Sequence, residues 1–127
     1  MTVSTLPCTA ELAFEEALDA MGGDGELLQE IVEIFLETGH EQLRQLETAA
    51  ERGDMELLQN VAHSLKGSAA SIGALGFAAV ARDVECMARV GGRTHVQELL
   101  VHLREKYEEL EAVCAEVDWD ILPSLSY

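Results

Sequence analysis

The stretch "LLQNVAHSLKGSAASIGA", residues 57–74, decides the fold. Laid on a regular helix at about 100° per residue with His63 at zero, Leu58, Val61, Ala62, Leu65, Ala69 and Ile72 fall in one arc, from about 160° to about 260°. An apolar arc of that width is a core face. Lys66, Gly67 and Ala70 fall within about 60° of His63, on the opposite side. The spacing therefore predicts a half-buried helix that holds His63 toward solvent. Around the histidine the helix carries small residues where long polar side chains would be the cheaper surface.

Outward from this stretch the punctuation is glycine, in "MGGDG" at 21–25, "RGD" at 52–54, "IGALG" at 72–76 and "VGGRT" at 90–94. These mark four turns. The two prolines, Pro7 and Pro123, lie outside the periodic region, so roughly a hundred residues are free of helix breakers. Five helices are expected. A short one over about Thr9–Ala20, with Leu12, Phe14, Ala17 and Leu18, reads as a lid. A long one, capped by Asp24, carries Leu27, Leu28, Ile31, Ile34, Phe35, Leu43 and Leu46 and ends near Arg52, with Gly53 at its C-cap. Asp54 caps the third, over Met55 to about Ile72. The fourth, about Leu75–Val90, shows Phe77, Val80, Val84 and Met87 on one face. The fifth opens on "THVQ", a capping-box pattern from Thr94 to Gln97, and places Val96, Leu99, Leu100, Leu103, Tyr107, Leu110, Cys114 and Val117 along one side. Amphipathic helices joined by short loops make an all-α, antiparallel four-helix bundle with a short additional N-terminal helix. The expected division is a tail over 1–9, the bundle over 10–117 and a tail over 118–127.

Composition narrows the function classes. The chain has 127 residues, 48% of them apolar, enough for one domain that buries roughly two thirds of its unfolded surface. Its apolar runs fall far short of the roughly 20 residues that span a bilayer. No basic segment followed by an apolar stretch opens the chain, so a cytoplasmic location is expected. With 24 acids against 8 bases the formal net charge is -16, which repels phosphate backbones and anionic lipid alike. Neither nucleic acid nor membrane is an expected partner. Cys8, Cys86 and Cys114 are widely spaced and odd in number, arguing against a disulfide framework or a zinc site. Cys86 and Cys114 read as small core residues.

An exposed histidine on a helix is usually surface decoration; its neighbours change that here. Gly67 costs about 1 kcal/mol relative to alanine in a helix interior, a cost explained if another protein must come close to the imidazole. Imidazole, with a pKa of about 6.5 free in solution, is a competent nucleophile near neutral pH and forms covalent intermediates. A phosphoryl group on it would present acceptor oxygens that a lysine one turn away can reach. Phosphoryl transfer asks little of a protein beyond positioning and charge stabilisation.

The stretch "AHSLKGSAASIGALGFAAVARDVECMAR", preceded by "GGDGELLQEIVEIFLETGHEQLRQLETAAERGD", resembles the histidine phosphotransfer (HPt) domains of two-component phosphorelays over roughly residues 10–116. The resemblance implies that His63 is the phospho-acceptor and that Lys66 and Gly67 match the family's lysine and glycine. It places Glu85 at the position where family members often carry Gln or Glu near the acceptor. It implies a phosphocarrier rather than an enzyme, exchanging a phosphoryl group with receiver-domain aspartates of response regulators. The resemblance allows a hybrid sensor histidine kinase as a further partner, and Mg2+ is expected only in the receiver. Without a Gly-rich nucleotide loop, a freestanding monomeric shuttle is expected rather than a kinase. The docking surface is expected on the strip around His63, with Gly67, Ala70 and Gly73 giving close access.

Three other readings compete. A di-iron bundle needs two Glu-x-x-His pairs, and one exists, Glu37 with His40; no metal site is expected, and His95 and His102 read as surface residues. A Ser-His hydrolase needs an acidic orienter and an oxyanion hole, whereas Ser64 sits about 100° round the helix from His63. The strongest alternative is a helical module that docks signalling partners without carrying phosphate.

Overall fold

In the computed structural model of the chain, residues 14–117 are described. They form five helices, α1 (Phe14–Ala20), α2 (Gly25–Arg52), α3 (Met55–Ser71), α4 (Leu75–Val90) and α5 (Arg93–Glu116), and no strand. The order and bounds follow the periodicity read from the sequence; residues 9–13 of the first expected helix and the whole of both expected tails, 1–9 and 118–127, lie outside the described residues. Asp24 and Asp54 each accept a hydrogen bond from a first-turn amide, Leu27 N–H and Leu57 N–H, at 3.1 Å, satisfying donors that a helix start leaves unpaired. Gly53 ends α2 at φ 72°, a left-handed conformation that glycine adopts without a Cβ clash.

The start of α5 departs from expectation. Its N-cap is Gly92, with no side-chain cap hydrogen bond, so the helix begins at Arg93 and Thr94 lies inside its first turn. The Gly92 amide bonds the Met87 carbonyl at 2.9 Å, and this tight exit from α4 starts the next helix before a Thr94 box can form.

α2 to α5 pack in a closed ring, α2 on α3, α3 on α4, α4 on α5 and α5 back on α2, with α1 laid on α2. This is the antiparallel four-helix bundle. Leu28, Val32, Leu43, Leu46, Leu58, Leu65, Ile72, Val84, Val96 and Leu103 fill the middle with at most 1% of their surface exposed. Each such side chain stabilises by roughly 1.5–3 kcal/mol on burial. Phe35 and Phe77 meet edge-to-face at 5.4 Å, the geometry that ring quadrupoles favour. Phe14 is fully buried, so α1 covers the bundle as a lid. Tyr107 donates its hydroxyl hydrogen to the Leu36 carbonyl, and Gly39 lets its ring come close, since a Cβ there would sit 3.4 Å from the ring edge. Burial pushes the Tyr107 phenol above its ordinary pKa and the Cys114 thiol up to about 12. Cys86 is only half-buried, so of the two expected core cysteines Cys114 alone is one; Cys86 sits on the flank of α4, next to the position that faces α3.

Candidate functional site

All six residues of the arc read as the core face of α3 are buried, which turns His63 outward with 67% of its side chain exposed. Lys66 follows one turn later and is one-third exposed. The turn at Gly73–Ala74 folds α4 back along α3 and brings Glu85 beside both. The His63 Nδ1–H donates to Glu85 Oε2 at 2.9 Å and Lys66 Nζ donates to Glu85 Oε1 at 2.8 Å. Glu85 itself is buried, with 9% of its side chain exposed, the one buried charged residue among those described. A buried carboxylate requires partners, and these two supply them.

The Lys66 hydrogen bond, opposed by burial and reinforced by the His63 bond, holds the Glu85 carboxyl below its ordinary value. An ionised carboxylate only accepts hydrogen bonds, so the proton between Glu85 and His63 belongs to Nδ1. The other ring nitrogen, Nε2, is left with its lone pair free. The contact thus selects one tautomer and fixes the ring plane, as a partner on one imidazole nitrogen does elsewhere for the other.

Periodicity alone did not single out Arg89, whose Nη2 lies 3.7 Å from Glu85 Oε2. Its signal in the sequence is the i,i+4 spacing from Glu85 on one helix face. Three cationic or potentially cationic groups, Lys66, His63 and Arg89, therefore surround a single carboxylate in an otherwise acidic protein.

Gly67 is exposed, and a Cβ added to it would meet nothing within 4 Å. Its absence of a side chain is not required by the fold. Ala70 is exposed on the same strip. Gly73 is not: it is buried, with φ 79°, and it belongs to the α3–α4 turn. The expectation that Gly73 offers close access on the open strip is corrected by that left-handed turn geometry, which draws its backbone under the loop. On the α2 side Gln42 Nε2 donates to Ser64 Oγ at 3.4 Å, so Ser64 faces α2 rather than the imidazole.

Glu37, His40, His95 and His102 are all exposed. Among the described residues no group of three or more His, Cys, Asp or Glu side chains is placed to hold a metal ion. The one carboxylate beside His63 is committed to Lys66 and the Nδ1–H.

Comparison with known proteins gives the arrangement a context. The model of the Hpt domain matches residues 30–113. Among solved structures, the crystal structure of histidine-containing phosphotransfer protein B from Pseudomonas aeruginosa PAO1 superposes with a TM-score of 0.79 at 21% identity, covering 86% of this chain and 95% of that one. At that identity the likeness is one of fold. No curated protein is matched.

Proposed function

The chain belongs to the Hpt domain family, and from that premise we propose that it is a phosphorelay intermediate that accepts a phosphoryl group on His63 from the aspartate of one receiver domain and passes it to another. Hpt proteins are phosphocarriers that work with response-regulator receiver domains; what is proposed is the acceptor, its chemistry and the two-way traffic.

The observation that carries the reading is the 2.9 Å contact between His63 Nδ1 and Glu85 Oε2. The Nε2 lone pair attacks phosphorus of the partner's aspartyl phosphate. The N–P bond forms as the P–O bond breaks, and the aspartate carboxylate leaves with the electron pair. Positive charge that develops on the ring is answered by the Glu85 carboxylate through Nδ1–H, so no proton leaves the imidazole during transfer. Lys66 Nζ is close enough to exchange Glu85 for phosphoryl oxygens, and Arg89 stands behind it as a second cation. Onward delivery is the reverse displacement, on a second aspartate. Gly67 and Ala70 leave the backbone low beside the ring so that a receiver's active-site rim can approach.

With the local carboxylate engaged, the Mg2+ of the reaction comes with the receiver, which also supplies most of the transfer machinery. The net charge of -16 disfavours nucleic acid and anionic membranes as partners and supports a monomeric carrier; a hybrid sensor histidine kinase fits as an upstream partner. No helix among the described residues is long and apolar enough to cross a membrane; the cytoplasm as the place of work is part of the proposal.

The test is to incubate the protein with a phosphorylated receiver from the same cell and follow intact mass. An acid-labile, alkali-stable adduct that is absent in His63→Gln is the expected result. Retained acceptance by His63→Gln would overturn the assignment, and no adduct with any receiver of that cell would favour a docking module that carries no phosphate.

A further inference from the structure

We propose that the groove between α2 and α5 is a docking site for a basic, amphipathic helical segment of a partner protein, separate from the face that carries His63. The groove has a volume of about 330 Å3 and is lined by residues of these two helices only. Its floor is apolar: Ala50 and Leu100 are buried, while Val101 at the mouth keeps 64% of its surface exposed. A floor of this kind gains from being covered, because covering it removes apolar surface from water.

The rim selects the partner's charge. Four glutamates border the floor and one cation, Arg104. That cation is paired with one of the four: its Nε donates to Glu47 Oε2 at 2.8 Å and its Nη2 to Glu47 Oε1 at 3.1 Å. Glu51 and Glu108 form no ion pair among the described residues, and Glu105 faces only His102 Nδ1, at 3.5 Å. The Arg104 charge, already paired with Glu47, also feels Glu108, so among the described residues Glu51 and Glu105 stand at the mouth with no lysine or arginine at ion-pair distance, and acid outnumbers base four to one around the floor. An occupant needs aliphatic side chains for the floor and ammonium or guanidinium groups for the rim, and lysine and arginine stems can themselves lie along Val101 and Leu100. An amphipathic helix laid in a groove meets both needs. A second copy of this chain would bring the same acidic surface, and nucleic acid or anionic lipid would be repelled.

Placement makes the site independent of phosphoryl transfer. The His63 cluster is built from α3 and α4, the groove from α2 and α5, and the two share no helix. Both can therefore be occupied at once, one partner tethering the carrier while a receiver visits the other side.

The probe is a synthetic amphipathic helix with a leucine stripe flanked by lysines, titrated into the isotope-labelled full chain, alongside a twin with glutamate at every lysine. The expected result is amide shifts confined to residues 47–51 and 97–108 with the lysine peptide and none with its twin. Affinity should fall about tenfold, close to 1.4 kcal/mol, in Val101→Gln and again in Glu105→Lys with Glu108→Lys, all exposed positions whose change leaves the core intact. Phosphoryl acceptance from a receiver should be unchanged at saturating peptide. Shifts spread over the whole acidic surface or centred on His63, affinity indifferent to both variants, binding of the glutamate twin, or slowed acceptance would each overturn the proposal.

Discussion

Glu85 on the α3–α4 seam and Glu47 on the α2–α5 seam each answer a cation from the neighbouring helix, yet only one of them is out of water. The side chain of Glu85 is 9% exposed and that of Glu47 is 42% exposed. Glu47 holds Arg104 in a two-bond fork, a rigid and directional pair whose strength solvent largely screens. Glu85 divides its two oxygens between Lys66 and His63, where low exposure makes the loss of either partner costly. The difference lies in what the carboxylate is tied to. Glu47 braces two helices; Glu85 sets the proton position on the His63 ring, so under the proposed acceptor role a change there should be read out in transfer as well as in stability.

The largest test of that contrast is Glu85→Ala. Removing the carboxylate frees the imidazole to adopt either tautomer and leaves Lys66 without its partner, and transfer from a phosphorylated receiver should slow on the order of 100-fold. Glu85→Gln keeps an oxygen that accepts from Nδ1–H and should recover much of the rate, which a purely structural role for the residue would not predict. Rapid-quench transfer assays on the two variants separate these cases.

Acid is a second way to break the Glu85 side of the comparison. Its carboxyl is held below the ordinary value near 4.5, chiefly by the Lys66 hydrogen bond, so the folded protein binds fewer protons there than the unfolded chain. The stability this gives is complete above the unfolded value and is lost as pH falls through the lower folded one. Thermal melts from about pH 6 to about pH 3 should therefore fall more steeply for the natural protein than for Glu85→Gln. Parallel curves would show that the ion cluster adds nothing to folding.

A smaller effect sharpens the role of Gly67. With no atom within 4 Å of an added Cβ, Gly67→Ala should stabilise the isolated protein by about 0.5–1 kcal/mol. Transfer should nevertheless slow several-fold if the proposed docking strip is right, because the methyl group would stand on the path of the approaching receiver. Unchanged transfer would place the approach elsewhere. Smallest of all is Glu47→Ala, expected to cost about 0.5 kcal/mol in chemical denaturation and to leave transfer untouched.

The helices were legible because each of these features is local. The face containing Leu58, Val61, Ala62, Leu65, Ala69 and Ile72 repeats at the helical period, and Asp24, Asp54 and Gly53 act on their own turns. His63 could be placed outward for the same reason. Glu85 could be suspected beside it only by resemblance, since its burial is made by Lys66 and His63 across a helix seam and no period within α4 reports that. Arg104 with Glu47 was invisible, being a pairing of residues 57 apart. The misreadings at Thr94 and Gly73 share one cause. A cap pattern or a small residue says what a position could do, whereas the tight turns around Gly91–Gly92 and Gly73 decide where the backbone is when it gets there.

The ring of seams also bears on how fast the protein assembles. Three of its four seams join helices that follow one another in the chain, through turns of a few residues, and α2–α5 alone joins helices far apart in sequence. Such a topology has low contact order and folds quickly, with the entropy of closing a long loop concentrated at the α2–α5 edge. That edge is where an opening of the bundle would be expected to begin, and a ligand bridging it would lengthen the lifetime of the folded state by slowing its escape.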